Sequence, residues 1–97
     1  MFWAYILECS DGSYYTGHTD DIMHRLTAHE QGYFPICYTF SRRPVTLKWQ
    51  QDFSTREEAL HAEQQIKGWS RKKKEALIQG NWADLINLSK SKNVVKH

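Results

Sequence analysis

The stretch Ala4 to Gly17, AYILECSDGSYYTG, constrains the fold more than any other part of the chain. Residues 3–9 are largely apolar, and Ser13 to Gly17 is aromatic and β-branched, so both flanks suit a pleated surface. Between them, Ser10-Asp11-Gly12-Ser13 holds an Asp-Gly pair that tolerates the positive φ of a primed turn. The reading is a hairpin with a tyrosine near each end, Tyr5 and Tyr15. On their own, the two phenols require only sheet packing.

Length and charge narrow the rest. A chain of 97 residues fits one domain, expected over residues 1–88 with a frayed tail at 89–97. Folding at this size buries roughly 60–65% of the unfolded chain's surface, enough for one modest core. No apolar run approaches ~18 residues, so no helical membrane span is predicted. The opening MFWAYILECS lacks a basic leader and a cleavage site, and reads as a first strand rather than a signal peptide. Cys9 and Cys37 form neither a disulfide framework nor a zinc-ligand spacing, and fit reduced thiols in a cytoplasmic protein. The net charge of +2 names no partner. Its distribution says more: KGWSRKKKE packs five basic residues and one acid into nine positions, and SRRP adds Arg42 and Arg43.

Beyond the hairpin, Thr19 reads as a helix N-cap followed by Asp20 and Asp21, with a helix over 20–31 and a stop at Gly32. The segment from Gly32 to Pro44 has no clear period and reads as a loop. Val45, Leu47 and Trp49 then alternate with polar neighbours, which predicts a third strand. Two possible capping boxes, Ser54/Glu57 and Thr55/Glu58, open a helix over 55–68 with its core stripe on Ala59, Ala62 and Ile66. Ser70 caps a further helix that closes at Gly80, and NWADLINL reads as a last short helix.

Several residues sit oddly in that frame. Glu63 lies inside or beside the core stripe, where an isolated carboxylate is costly unless a cation, hydrogen bonds or a metal meets it. Arg25 and His29 share one stripe of the first helix, which starts directly after the strand carrying Tyr15; an arginine facing that surface suits a phosphate. Arg71, Lys72, Lys73 and Lys74 occupy a helix first turn, where each cation opposes the dipole by roughly 0.3–1 kcal/mol if exposed at low salt. A polyanion partner explains such a run, and so does a solvated basic face. His18, His24 and His61 make no metal-ligand spacing and read as surface residues.

These pieces resemble the GIY-YIG endonuclease superfamily, and within it the small stand-alone bacterial UPF0213 group. The two name-giving elements correspond to Trp3-Ala4-Tyr5 and Tyr15-Thr16-Gly17. Arg25, ten residues beyond Tyr15, matches the family's arginine; His29 matches its next polar position, and Glu63 its metal-binding glutamate. The likeness runs through TFSRRPVTLKW, EEALHAEQQIKGWSRKKKEALI and NWADL, about residues 2–88. Trp3 and Ala4 replace the family's glycine and isoleucine, and Thr16 replaces an isoleucine. The late asparagine of many members has no counterpart, and Lys67 is the substitute considered for holding phosphate.

The resemblance implies an α/β (α+β) domain: a three-stranded antiparallel sheet flanked by helices, in the order β-β-α-β-α-α with a short C-terminal helix. It also implies divalent-metal-dependent phosphodiester hydrolysis. Glu63 would hold one Mg²⁺ or Mn²⁺, and Arg25 would present a planar, permanently charged fork to the scissile phosphate. A free phenol is only about 0.1% ionised at pH 7, so an unaided tyrosine is a poor base. Tyr5 is the first choice for base or water positioning, Tyr15 for orienting water or phosphate, and His29 for relaying the proton or replacing Tyr5. Arg42, Arg43, Lys67, Arg71, Lys72, Lys73 and Lys74 are the expected nucleic-acid contacts, DNA being favoured over RNA. The expected activity is DNA cleavage in repair or processing, on structured, damaged or single-stranded forms. A non-catalytic nucleic-acid-binding or adaptor module is the alternative, and a protein partner or homodimer would strengthen weak, shape-directed binding.

Overall fold

The computed structural model describes residues 1–33 and 37–81. The expected last helix, apart from Asn81, and the tail at 89–97 lie outside the described residues. In chain order the elements are β1 (Phe2–Glu8), β2 (Tyr14–Thr19), α1 (Ile22–Gln31), a 3₁₀ turn (Phe40–Arg42), β3 (Thr46–Phe53), α2 (Arg56–Lys67) and α3 (Arg71–Gln79). They fall into two compact units, one of Met1–Lys67 and one beginning at Gly68.

In the first unit β1 is the central strand of an antiparallel sheet of order β2-β1-β3. A central strand covered on both faces reads as a continuous apolar run, and Ala4, Tyr5, Ile6 and Leu7 are all buried. The pleat separates them. Tyr5 pairs with Gly17 and Leu7 with Tyr15 on one face, while Ala4 pairs with His18 and Ile6 with Thr16 on the other. The first face carries the core of Tyr5, Leu7, Cys9 and Val45, against which Tyr15, Ile22, Leu26 and Leu47 pack. Helix α2 packs on β1 and β2 and buries Ala59 and Ile66.

Local chemistry sets the joints, with two departures from expectation. The hairpin turn is not primed: Asp11 keeps a negative φ, and only Gly12, at φ 83, is left-handed. The Cys9 carbonyl accepts from Gly12 N–H at 2.9 Å while Cys9 N–H donates to the Ser13 carbonyl at 2.8 Å. The loop is therefore three residues, with the glycine last. Asp11 braces it by accepting from Ser13 N–H at 3.0 Å and the Ser13 hydroxyl at 2.5 Å, an Asx turn.

The second departure concerns Thr19, which ends β2, buried, instead of capping α1. Asp21 is the cap, accepting from His24 N–H at 3.0 Å, while the Thr19 hydroxyl accepts from Asp21 N–H at 3.1 Å. The hydroxyl thus orients the capping residue and leaves the cap to a carboxylate, which also suits the positive helix end. Of the two candidate boxes for α2, Thr55 and Glu58 form theirs reciprocally, at 3.2 and 3.1 Å.

In the second unit Ser70 caps α3 by accepting from Lys73 N–H at 3.2 Å, and Gly80 closes it in the left-handed region. No helix of the described residues is long and apolar enough to cross a membrane.

Candidate active site

Tyr5, Tyr15 and His29 come together on the α1 face of the sheet. The Tyr5 hydroxyl lies 3.0 Å from His29 Nε2, a buried contact between the central strand and the last turn of α1. The Tyr15 ring stands 5.2 Å from the His29 ring and 6.4 Å from that of Tyr5, centroid to centroid. Gly17, opposite Tyr5 in the register, makes this possible. A Cβ there would fall 2.5 Å from Tyr5 Oη and 2.6 Å from Cζ, so any side chain would evict the phenol. The glycine is required by close approach, not by its backbone angle.

His29 is 2% exposed, and its second nitrogen, Nδ1, lies 2.9 Å from Thr39 Oγ1. Thr39 in turn reaches Cys37 Sγ at 3.5 Å. Nothing in the sequence singles out Thr39, a residue in an aperiodic loop ten positions away. Arg43 anchors that loop: its guanidinium donates to the Phe40 carbonyl at 2.9 Å and to the Glu30 carbonyl near the end of α1 at 3.3 Å.

The electrostatics leave Tyr5, Tyr15 and His29 uncharged at neutral pH. Burial, and then the neighbouring Tyr15, push the Tyr5 hydroxyl far above the ordinary phenol range. Burial, and then Cys37, push Tyr15 up to about 12. Arg25, partly exposed on α1, pulls both phenols down, while the Glu63 charge raises both. Burial, and then the Arg25 charge, hold His29 below its usual value, so the imidazole is neutral. Neither tyrosine is a ready phenolate.

Glu63 is only 12% exposed, and each of its oxygens meets a nitrogen. Its Oε1 lies 2.9 Å from His18 Nδ1 and its Oε2 lies 3.4 Å from Lys67 Nζ. His18 is therefore not the plain surface residue that its spacing predicts. It stands on edge strand β2, and α2 crosses that strand, so a pair 45 positions apart in sequence becomes a contact. His24 and His61 are exposed, as expected. Among the described residues no three His, Cys, Asp or Glu side chains gather as a metal cage. A single carboxylate with lone pairs to spare suits an ion that keeps most of its waters, which is how Mg²⁺ is commonly held.

The basic residues separate into working groups. Arg42 pairs with Asp11 at 3.1 Å, donates to the Tyr38 carbonyl at 2.9 Å and stacks 3.8 Å over the Tyr38 ring. With Arg43 bound to Phe40 and Glu30, both guanidiniums serve to hold the loop against the hairpin and α1. In the second unit Lys73 is buried, its ammonium 4.4 Å from the Trp69 ring, and Arg71 pairs with Glu75 at 3.3 Å. Burial, and then Arg71, hold Lys74 below the usual amine value. Lys72 is exposed.

A family model for the GIY-YIG catalytic domain matches residues 1–76, most of the chain. The chain belongs to the GIY-YIG family. That is a family of nucleases. Among curated relatives, a UPF0213 protein of Halobacterium salinarum is 46% identical over 78 residues, covering 80% of this chain and all of the relative. A UPF0213 protein of Bacillus pumilus is 44% identical over 77 residues, covering 79% of this chain and 78% of its own. The solution structure of a UPF0213 protein from Bacillus halodurans, 42% identical, matches 81% of this chain and 84% of its own with a TM-score of 0.53. That of an E. faecalis protein, 36% identical, matches 84% and 85% with a TM-score of 0.56. The GIY-YIG fold and the UPF0213 affiliation expected from the sequence both hold.

Proposed function

We propose that this GIY-YIG protein is a divalent-metal-dependent endonuclease that hydrolyses phosphodiester bonds in DNA, acting on structured, damaged or single-stranded forms in repair or processing. The observation that carries the reading is the buried Tyr5–His29 contact at 3.0 Å, with a neutral imidazole under the influence of the Arg25 cation. A nuclease needs a proton acceptor beside a phosphate-binding cation, and these residues supply both.

In the proposed reaction Arg25 donates to the non-bridging oxygens of the scissile phosphate. A water oxygen attacks phosphorus. Its proton passes to Tyr5 Oη, which is closed to solvent in the free protein and has to be uncovered on substrate binding, while the phenol's own proton passes to His29 Nε2, so no free phenolate accumulates. The bond from phosphorus to the leaving oxygen breaks with its electron pair on that oxygen, which takes a proton from solvent. Tyr15 orients the water or the phosphate. Glu63 would hold Mg²⁺ or Mn²⁺, with Lys67 displaced towards the substrate's negative charge. When bound, such an ion supplies Lewis-acid stabilisation of charge developing on the phosphate and leaving oxygens.

One observation favours the alternative of a non-catalytic nucleic-acid-binding module: both Glu63 oxygens already have partners, His18 Nδ1 and Lys67 Nζ. Incubating the protein with supercoiled plasmid, single-stranded DNA and RNA, in Mg²⁺, Mn²⁺ or EDTA, separates the two. Metal-dependent cutting that Glu63→Ala abolishes is expected. Equal cutting by Glu63→Ala overturns the enzymatic reading.

A further inference from the structure

A neutral imidazole carries one N–H and one lone pair, and which nitrogen holds the proton is decided by the partner of the other. Each ring nitrogen of His29 meets a hydroxyl: Tyr5 Oη at 3.0 Å from Nε2 and Thr39 Oγ1 at 2.9 Å from Nδ1. Either hydroxyl can donate or accept, so the two distances alone permit two directions. We infer that Thr39, with Cys37 behind it, fixes His29 as the Nδ1-protonated tautomer and so aims the Nε2 lone pair at the Tyr5 proton. Thr39 is then a positioning residue for the Tyr5–His29 pair.

Two observations select this direction. The first is the fate of the Tyr5 proton. Tyr5 is 1% exposed, its hydroxyl lies over the Cα of Gly17, and His29 Nε2 is its hydrogen-bond partner among the described residues. Were Nε2 the protonated nitrogen, it would donate to Oη and leave a buried phenolic O–H without an acceptor, which carries the full desolvation penalty of that group. The second is the fate of the Thr39 proton. The Thr39 hydroxyl has Cys37 Sγ as a second partner, at 3.5 Å, and donating there leaves Oγ1 free to accept from Nδ1–H.

Cys37 is arranged as an acceptor. The Thr39 hydroxyl reaches its sulfur at 3.5 Å, and hydrogen bonding outweighs burial to hold the thiol below its usual value. One direction of proton donation then runs through all three contacts: Tyr5 to His29, His29 to Thr39, Thr39 to Cys37. The anchoring of the loop by Arg43 keeps Thr39 in reach of α1.

The geometry stands without the nuclease reading, but its catalytic consequence rests on that reading. The test is therefore a tautomer measurement alongside an activity measurement. In protein labelled with ¹⁵N at histidine, two-bond ¹H–¹⁵N correlations identify the protonated ring nitrogen of His29 directly. Nδ1–H is expected in the wild type and in Thr39→Ser, and a mixture or Nε2–H in Thr39→Val, which keeps the side-chain shape without the hydroxyl. Nε2–H in the wild type overturns the inference, and so does a Thr39→Val protein whose tautomer is unchanged. If Thr39→Val does not fold, Cys37→Ala removes the terminal acceptor, and Nδ1–H persisting there as fully as in the wild type overturns the role given to Cys37. In the cleavage assay Thr39→Val should lose about 10- to 100-fold, part of what general-base catalysis contributes, and Thr39→Ser should restore it. An Nδ1–H wild type that cuts no substrate would refute the nuclease reading alone.

Discussion

The proton acceptor can be identified from the pH dependence of cleavage, because the two candidate routes differ by orders of magnitude. If a phenolate were the base, the reactive fraction would be set by tyrosines held at about 12 for Tyr15 and higher for Tyr5. A group at about 12 is ionised in roughly one molecule in 10⁵ at pH 7, and that fraction grows tenfold per pH unit. The rate would then climb about 100-fold between pH 7 and 9. If His29 Nε2 receives the proton through Tyr5, the relevant titration is that of an imidazole held low by burial and by Arg25. Its neutral form is the active one, so the rate rises as pH climbs through the His29 value, below 6.5, and is flat from 7 to 9. Tyr5 and Tyr15, which face His29, stay protonated across that plateau, and Cys37→Ala measured beside the wild type removes the thiol that is held below its usual value behind Thr39. Single-turnover cleavage of a labelled oligonucleotide from pH 5 to 9, at saturating Mg²⁺, reads the difference. Tyr5→Phe and His29→Ala should each cost about 10²–10⁴-fold, and the double variant little more, since the two act as one unit. A 100-fold climb between pH 7 and 9 would refute the relay.

Other perturbations test the scaffold and the surface. Gly17→Ala should displace the Tyr5 ring and destabilise the fold by about 1–3 kcal/mol in urea melts, an overpacking cost, with loss of cleavage; an unchanged melt would contradict the contact. The Thr16 hydroxyl is buried without a hydrogen-bond partner among the described residues, so Thr16→Val should raise stability by about 1 kcal/mol in the same melts. Lys72→Glu should weaken DNA binding and reduce the magnitude of its logarithmic salt slope by about one or more, read by fluorescence anisotropy over a salt series.

The legible parts of this molecule are those whose cause is local. Asp-Gly between two strand-forming runs specifies a hairpin, and Thr55 followed by Glu58 specifies a helix start, because the partners are neighbours in the chain. The same local signals pointed to a primed turn and to Thr19 as the cap of α1, and the structure has neither, because the Asp11 and Asp21 carboxylates bond the nearby backbone instead. The site was half legible. Tyr5, Tyr15 and Gly17 share a face by strand pairing, and His29 joins them from the helix that follows. His18 and Thr39 were not, since each acts through a single long-range hydrogen bond that no periodicity announces. Arg42 and Arg43 mark the opposite case: their charge advertised phosphate, and tertiary structure uses it on Asp11 and on loop carbonyls.

The central claim is that this site performs chemistry rather than merely binding nucleic acid, and Arg25→Ala tests it most directly. Cleavage rate under single-turnover conditions and DNA affinity should be measured on the same preparation. The rate should fall at least about 100-fold while affinity changes only a few-fold, since an arginine that binds the scissile phosphate as proposed acts mainly on the transition state. A wild-type protein that binds DNA without cutting it, or an Arg25→Ala protein that cuts at the wild-type rate, would contradict it.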